Sequence, residues 1–466
     1  MHVAYAQKLY FRKEFMNSQF LQRIQSYIPN EYDDFIQSLN TPLYKGVRRN
    51  PKKMSQAEFD ESFPNVKPSP FSKDSYYIEK SIGNHPYHIC GGLYMQEPSA
   101  SSAVTILDVQ EDDYVLDLCA APGSKSTQIA KALKSGFLLS NEYESKRAQI
   151  LLSNMERMGV SNFSITNMDT KVLCKQLPAC FDKILVDAPC SGEGMMKKHD
   201  AASEKWSMEN IELCASRQKE ILANAHGSLK KDGILVYSTC TYAKEENEEV
   251  VAWFLNQFED MELVNIDVDF GRPGLDTPGM DASKVCRIFP MDQGEGHFIA
   301  KFKKIEGTHA KLPTLNSSKI DSCVSQFLKE QVENPMSYFY VEKGKDVSKV
   351  FMMNQPFLKF KKGNVVRQGV YVGNVIKSRF EPAHAFYMNA DLVYKKIVNC
   401  TIDQMDAIMH GLELGVHCNR GYVAFCFERH PFGFGKSDGN RITNKIPKGL
   451  RLLPNSHVLE VKNGNQ

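Results

Sequence analysis

The sequence lacks any apolar run near the roughly 18 to 20 residues that a helix needs to cross a bilayer. Its first residues do not show the basic, then apolar, then small-residue pattern of a secretory signal. None of its 12 cysteines are paired at CxxC spacing, and no Cys/His cluster resembles a zinc site. We therefore expect a cytoplasmic, soluble protein with no membrane partner, no metal and no disulfide framework.

What the sequence does contain is ordinary globular composition with an uneven charge distribution. Hydrophobic residues make up 42% of the 466 positions and charged residues 24%. Residues 1–300 carry 32 Lys and Arg against 41 Asp and Glu, whereas residues 301–466 carry 25 against 14. A net −9 front joined to a net +11 tail indicates a polyanion-binding appendage, although a solvated basic surface would give the same count.

Short apolar runs alternate with helical patterns from about residue 112. This alternation predicts an α/β fold, with a parallel sheet and crossover helices. The predicted strands are YVLDL (114–118), FLLSN (137–141), FSIT (163–166), FDKILVD (181–187) and GILVYSTC (233–240). HFIAKF (297–302) is expected to close the sheet as an edge strand.

Composition shifts divide the chain into four predicted regions. An N-terminal α/β region spans 1–100, and a Rossmann-like domain spans 101–305. A polar linker, 306–322, leads into a basic, β-rich C-terminal region, 323–466.

Polar residues follow successive predicted strands in a way that is typical of a nucleoside-cofactor site. Gly123 allows the backbone to approach a ligand closely, just before a helix N-terminus that favours an anionic group. Glu142 follows the second strand, where it is placed to bind ribose hydroxyls, and Asp169 follows the third, where it is placed to bind an adenine amine. Asp187 ends the fourth strand. Because the carboxyl ends of parallel strands share one edge, these groups should converge there.

Two cysteines are expected at the same edge. Cys190 lies in a Pro–Cys turn after the fourth strand, and Cys240 ends the fifth. A thiolate at either position could act as a nucleophile. Spacing alone does not rank the two cysteines.

Three sequence blocks resemble the signature blocks of the Nop/Sun family of RNA cytosine-5 methyltransferases. They are DLCAAPGSKSTQIA (117–130), DAPCSGEGMMKK (187–198) and YSTCTYAKEENEEVV (237–251). YMQEPSAS (94–101) and RIFPMDQGEGHFIAKF (287–302) resemble two further family blocks. With its basic C-terminal extension, the chain is most similar to the bacterial methyltransferases that modify small-subunit ribosomal RNA.

The resemblance implies that S-adenosyl-L-methionine is the cofactor and that cytosine carbon 5 is the methyl acceptor. It assigns Cys240 as the nucleophile and Cys190 to product release, with Lys125 near the target base. Asp187 is expected to act as the acid at ring nitrogen 3. The implied cofactor contacts are Cys119, Ala120, Ala121, Pro122, Gly123, Ser124, Lys125, Glu142, Asp169 and Asp187.

The resemblance also implies RNA contacts, with 16S ribosomal RNA or the small ribosomal subunit as the partner of a monomeric enzyme. Arg48, Arg49 and Lys52, which precede the catalytic domain, are expected to contact phosphates. Two C-terminal blocks, 367–386 and 433–451, resemble PUA-type modules. Their basic candidates are Lys377, Arg379, Lys436, Arg441, Lys445, Lys448 and Arg451.

Two alternatives stay open at this point. One is a transfer RNA methyltransferase built on the same scaffold. The other is a catalytically idle RNA-binding assembly factor, although retention of Cys190, Cys240 and Asp187 argues against it.

Overall fold

A computed structural model describes residues 16–197 and 206–459 of the chain. The outer parts of the predicted terminal regions, 1–15 and 460–466, lie outside the described residues. None of the described helices combines the length and apolar character needed to cross a membrane.

The N-terminal region packs short helices against a four-stranded antiparallel sheet of order β2-β3-β1-β4. Its elements are α1 (Ser18–Tyr27), α2 (Tyr32–Leu39), β1 (Gly46–Arg49), α3 (Gln56–Ser62), β2 (Lys67–Pro68), β3 (Ser75–Tyr77), α4 (Pro86–Ile89) and β4 (Leu93–Met95). A capping box at Ser55 begins α3, because the Ser55 hydroxyl and the Glu58 carboxylate each bond the other's backbone N–H.

The central domain alternates strands and helices as the sequence predicts. Its elements are α5 (Ser102–Leu107), β5 (Tyr114–Asp117), α6 (Ser124–Ala132), β6 (Phe137–Asn141), α7 (Ser145–Arg157), β7 (Phe163–Asn167), α8 (Thr170–Cys174), β8 (Phe181–Asp187), α9 (Met208–Ser228), β9 (Leu229–Thr239), α10 (Glu248–Gln257), β10 (Met261–Leu263), β11 (Val285–Ile288) and β12 (His297–Lys304). Short 3-10 turns over the whole chain are Pro98–Ser101, Glu193–Met195, Lys244–Glu246, Ala282–Lys284, Pro290–Asp292 and Lys448–Leu450.

The central sheet has nine strands in the order β10-β12-β9-β8-β5-β6-β7-β15, with β11 also paired to β12. The five strands from β9 to β7 run parallel, which confirms the predicted Rossmann-like fold. Strand order reverses between β5 and β8, since the chain first builds outward through β6 and β7 and then returns. In open α/β sheets, ligands bind in the crevice at such a reversal.

The prediction that 297–302 is an edge strand is wrong. β12 pairs with β9 on one side and with β10 and β11 on the other, all antiparallel. The apolar run indicates a buried strand, but it does not indicate how many strands flank it.

The C-terminal region forms two further sheets, of order β13-β14-β16-β17 and β18-β20-β21-β22-β19. Its elements are α11 (Ser322–Gln331), β13 (Tyr338–Glu342), β14 (Val347–Met353), β15 (Asn364–Gln368), β16 (Val370–Ile376), β17 (Arg379–Pro382), α12 (His384–Tyr387), β18 (Ile397–Asn399), α13 (Ile402–Met409), β19 (Leu414–Gly415), β20 (Gly421–Phe427), β21 (His430–Ser437) and β22 (Arg441–Asn444).

One C-terminal strand belongs to the catalytic sheet. β15 pairs antiparallel with β7, and Arg367 forms an ion pair of 2.5 Å with Glu156 on α7. A single cluster of buried apolar side chains includes Leu139 from the central sheet and Val372 from the C-terminal region. The C-terminal region is therefore continuous with the core of the catalytic domain.

Candidate active site

The turn after β5 is shaped for close approach to a ligand. Gly123 has a φ of 107°, and a Cβ atom there would lie 3.0 Å from Leu151 on α7. The Ala120 amide donates to the Asn141 carbonyl at 2.9 Å, which ties the turn to the end of β6. The backbone conformation and the close helix together require glycine at this position.

Asp117, the last residue of β5, is a site residue that sequence analysis missed. It is fully buried, and its Oδ2 accepts a 2.6 Å hydrogen bond from the Ser126 hydroxyl. Its Oδ1 is buried without a hydrogen-bond partner in the described part of the chain. Burial raises the pKa of Asp117 to about 7. An unpartnered buried carboxylate oxygen is a ready acceptor for a ligand ammonium group.

Glu142 lies against the same turn, at the end of β6. Its carboxylate accepts from the Glu144 amide at 2.9 Å and from the Ala121 amide at 3.3 Å. Arg147 lies 3.5 Å from that carboxylate and donates to the Ala121 carbonyl at 2.7 Å. The structure therefore brings Glu142 beside the Gly123 turn, with Arg147 as its neighbour.

Asp169 lies after β7 and is exposed. Its Oδ1 caps α8 by accepting from the amides of Lys171 at 2.9 Å and Val172 at 3.2 Å. The cap fixes the carboxylate at the carboxyl end of β7.

Lys125 and Asp187 form an ion pair at the reversal point of the sheet. The Lys125 ammonium lies 2.7 Å from Asp187 Oδ2, and the Ser238 hydroxyl donates to Asp187 Oδ1 at 2.7 Å. Burial alone would lower the pKa of Lys125, but the Asp187 carboxylate outweighs it and the pKa is raised. The lysine is therefore protonated and able to neutralise charge that develops nearby.

The two candidate thiols are in direct contact. Cys190 Sγ lies 3.3 Å from Cys240 Sγ. The Gly194 amide donates to the Cys240 carbonyl at 3.0 Å, and a Cβ on Gly194 would lie 2.8 Å from Gly296. These two glycines let the Cys190 loop lie directly on the end of β9.

The Glu246 carboxylate holds the loop that contains Cys190. Its carboxylate accepts from the Ser191 amide at 3.0 Å, from the Ser191 hydroxyl, and from the Gln218 amide group at 2.8 Å. Burial raises the pKa of Glu246 to about 7. The loop therefore depends on a buried carboxyl group contributed from beyond β9.

The surroundings of the two thiols differ in charge. The hydrogen bond from Cys190 lowers the pKa of Cys240, burial opposes this, and the nearby His297 and Lys125 lower it further. The same hydrogen bond and burial raise the pKa of Cys190. Of the two thiols, Cys240 is therefore the one that gives up its proton more readily.

His297 and Glu97 are further residues at this edge that sequence analysis did not single out. His297 begins β12, beside the end of β9, and its Nε2 lies 3.3 Å from Glu97 Oε2. Both lie in blocks that carry the family resemblance. Only the strand register reveals that they meet near Cys240.

Comparisons with known proteins agree with the resemblance seen in the sequence. A sequence model described as "16S rRNA methyltransferase RsmB/F" matches residues 104–303. Models for the N-terminal domain of RsmF, its first C-terminal domain and its PUA domain match 16–98, 326–389 and 395–452. Ribosomal RNA small subunit methyltransferase F of Vibrio parahaemolyticus is 31% identical, over 92% of this chain and 96% of that protein. The chain belongs to the RsmB/F family.

Other relatives of this RsmB/F protein agree. The Psychromonas ingrahamii protein of the same name is 31% identical over 92% of this chain and 96% of its own length. A solved methyltransferase homolog from Pyrococcus horikoshii is 28% identical, with a TM-score of 0.55, and covers 62% of this chain and 95% of its own. NSun6 from the same organism, at 22% identity and a TM-score of 0.57, shares the fold across 62% of this chain and 99% of its own.

The comparisons correct one detail of the C-terminal prediction for this RsmB/F protein. The PUA match covers the second predicted PUA-like block, 433–451, but not the first, 367–386. That first block falls entirely within the match to the separate first C-terminal domain. Its short β-runs are typical of any small β module, so they did not distinguish the two.

The structure also contradicts two of the expected phosphate contacts. Arg48 is fully buried and donates to Gln96 at 2.9 Å and to Thr127 on α6 at 2.7 Å. Arg49 is buried in a 2.5 Å ion pair with Asp74. Arg48 fastens the N-terminal sheet to α6, whereas Arg49 bonds within the N-terminal region, so neither faces RNA. Lys52, in a 3.4 Å ion pair with Asp391, remains partly exposed.

The C-terminal candidates lie mostly on the surface of this RsmB/F protein. The exposed ones are Lys377, Arg379, Lys436, Arg441, Lys445 and Lys448. Arg441 pairs with Glu413 at 3.3 Å and with Asp438 at 3.2 Å. Arg451 is half-buried and donates to the Ile446 carbonyl. The exposed lysines form no ion pair with a described residue and are therefore the stronger candidates for phosphate contact.

Proposed function

We propose that this protein transfers a methyl group from S-adenosyl-L-methionine to carbon 5 of a cytosine in 16S ribosomal RNA, with Cys240 as the nucleophile. The observation that carries the proposal is the pair of touching thiols, 3.3 Å apart, at the strand reversal of a methyltransferase sheet. The pKa of Cys240 is lowered and that of Cys190 is raised, and this difference supports different roles for the two thiols.

The residues of the crevice fit the proposed cofactor. The unpartnered Oδ1 of Asp117 suits the methionyl ammonium group, and Glu142 beside the Gly123 turn suits the ribose hydroxyls. Asp169 would face the adenine amine from its position at the end of β7. The backbone from Cys119 to Lys125 would surround the methionyl end, with Asp187 at the same edge. When bound, the cofactor supplies an electrophilic methyl group.

Cys240 starts the reaction by adding its thiolate to carbon 6 of the cytosine ring. The sulfur–carbon bond forms, and negative charge moves toward ring nitrogen 3. The Lys125 ammonium passes a proton to Asp187, which acts as the acid that protonates ring nitrogen 3 and so neutralises the charge. The ring is then an enamine whose carbon 5 is nucleophilic.

Cys190 is suited to the release step. Its pKa is raised chiefly by the hydrogen bond with Cys240, and then by burial. Once Cys240 is held in a thioether, that hydrogen bond is gone and Cys190 can release its own proton to solvent. The Cys190 thiolate then accepts the carbon 5 proton as the bond between Cys240 and carbon 6 breaks. Cys240 leaves as a thiolate, and the proton on ring nitrogen 3 returns to the pair of Asp187 and Lys125.

The RNA partner is proposed on the names of the relatives and on the exposed lysines of the C-terminal region. Because the proposed substrate is ribosomal RNA, we propose that the enzyme acts in the cytoplasm. We also propose that it acts as a monomer. We retain the division at 1–100, 101–305, 306–322 and 323–466 as a proposal for its regions. The target base must leave its stack to reach Cys240.

The test uses the purified full-length protein with labelled cofactor and three RNAs: naked 16S RNA, intact small subunits and total transfer RNA. Methylation of 16S RNA or of subunits, located by bisulfite sequencing, is the expected result. Preferential methylation of transfer RNA would replace the substrate assignment. No transfer to any of the three would favour an idle assembly factor.

A further inference from the structure

The strand register places His297 directly beside the proposed nucleophile. β12 and β9 are antiparallel, with Phe298 opposite Thr239. His297 precedes Phe298 and Cys240 follows Thr239, so the two residues lie at the adjoining ends of the paired strands. The His297 Nδ1 lies 3.4 Å from the Thr239 carbonyl oxygen, which turns the ring toward the end of β9.

Glu97 fixes the far side of the ring. Its Oε2 lies 3.3 Å from His297 Nε2. The Glu97 carboxylate is itself held by the Ser99 hydroxyl at 2.6 Å, the Ala100 amide at 2.9 Å and the Glu295 amide at 3.2 Å. Both ring nitrogens thus face oxygen acceptors, an arrangement that favours the doubly protonated imidazolium.

The His297 ring lies between the end of β9 and the Glu97 carboxylate, so the positive charge is nearer the Cys240 sulfur than the negative charge is. Nδ1 points to the end of β9 and Nε2 points to Glu97, so the ring stands between the two. Although burial opposes it, the pKa of His297 is raised, chiefly by the hydrogen bond and charge of Glu97.

Four side chains with ionisable groups surround the Cys240 sulfur. Lys125 on α6 and Asp187 at the end of β8 form a 2.7 Å ion pair whose charges largely cancel. Cys190 supplies its S–H group. The influence of His297 on the pKa of Cys240 exceeds those of Asp187 and Lys125. Among these charged side chains, His297 therefore has the greatest effect on the thiol.

We propose that His297, held by Glu97, is a positioning residue that keeps the Cys240 sulfur ionised in the free enzyme. The inference rests on the proposed role of Cys240 and deepens it. His297 is 10% exposed and acts on the reaction through the sulfur.

The first test measures the thiol itself, without RNA or cofactor. Full-length protein is alkylated with iodoacetamide between pH 5.5 and 9.5, and the Cys240 peptide is quantified by mass spectrometry. His297→Gln should move the alkylation midpoint upward and slow labelling at pH 7 about tenfold, which corresponds to one pKa unit. Glu97→Gln should move it less, because the imidazole remains.

The matched control is His226→Gln. His226 also pairs with a carboxylate, Asp260, at 2.8 Å, but near the opposite end of β9. The alkylation midpoint of Cys240 in the His226→Gln variant should equal that in the wild type. If His297→Gln is folded by circular dichroism and its midpoint is unchanged, the proposal is overturned.

A second variant guards against misfolding and a structural role. His297→Lys restores a cation and should keep the midpoint low; a midpoint as high as that of His297→Gln would overturn the proposal. In methylation assays, His297→Gln should recover toward wild-type rates as the pH rises to 9, whereas a misplaced strand would lower the rate at every pH. The alkylation midpoint needs no turnover, so failure of the proposed methylation and failure of this inference are distinguishable.

Discussion

The catalytic edge of the sheet and the basic N-terminal segment, residues 44–53, differ in how folding treats the polar residues that the sequence singles out. At the edge, side chains far apart in sequence converge within hydrogen-bond distance, as Lys125 and Asp187 do at 2.7 Å. In the basic segment, neighbouring arginines that look like a phosphate-binding surface are buried against other regions. Parallel topology dictates the first outcome, whereas the second depends on which surfaces pack together.

The largest effect should follow from Cys240→Ser, which tests whether the edge acts through this sulfur. A serine hydroxyl is not ionised near neutral pH, so methyl transfer should fall by at least about 1,000-fold. The measurement is incorporation of labelled methyl groups into 16S RNA. Cys418→Ser, in the C-terminal region, is the control and should retain wild-type activity. Substantial activity in Cys240→Ser would remove the distinction between the two thiols.

Cys190→Ala should separate addition from release. Because Cys240 remains, the covalent bond to cytosine should form, but loss of the proposed proton acceptor should slow multiple turnover about 100-fold. A denaturing gel of protein incubated with RNA and cofactor should show a shifted band. Absence of the shifted band together with normal turnover would contradict the release role.

Arg48→Met tests whether the basic N-terminal segment is structural. Loss of the bonds to Gln96 and Thr127 should lower the free energy of unfolding by about 2 kcal/mol, since buried partners lose a charged donor. Urea titration followed by fluorescence measures it. The salt dependence of RNA binding should not change, because Arg48 does not reach the surface; a smaller salt slope would restore the phosphate-contact interpretation.

Asp117 should make cofactor affinity depend on pH. Its pKa, raised to about 7 by burial, means that the carboxylate becomes ionised as the pH rises through 7. Affinity for the cofactor ammonium should therefore be about tenfold higher at pH 8 than at pH 6. Calorimetric titration at both values measures this. Asp117→Asn should bind weakly with little pH dependence, and a wild-type profile in that variant would exclude the ammonium contact.

The smallest effect is expected from Lys436→Met, a change on the C-terminal surface. Lys436 is exposed, so stability should change by less than about 0.5 kcal/mol. If it contacts a phosphate, RNA affinity should weaken modestly and the logarithmic salt slope should fall by about 1. An exposed glutamine, Gln326→Met, is the control. Equal RNA binding in both variants would leave the basic tail as a solvated surface at this point.

Much of the catalytic domain follows from local sequence. Strands β5 to β8 were predicted to within one residue, because apolar runs bounded by turns are direct signatures of buried parallel strands, whereas β9 begins four residues before the predicted run. The prediction for β12 was wrong because an apolar strand does not reveal how many partners flank it. β15 was not assigned to the catalytic sheet, since pairing across almost 200 residues leaves no local pattern.

The sequence by itself determined the fold class, the order of the strands that carry Glu142, Asp169, Asp187 and Cys240, and the family. It did so because strand periodicity and turn chemistry are local, and because topology brings strand ends to one edge. Only the tertiary structure decided that Cys190 touches Cys240, that Asp117 keeps one oxygen unpartnered among the described residues, and that His297 lies beside the end of β9. Those properties depend on burial and on antiparallel register between distant segments, which no local pattern encodes.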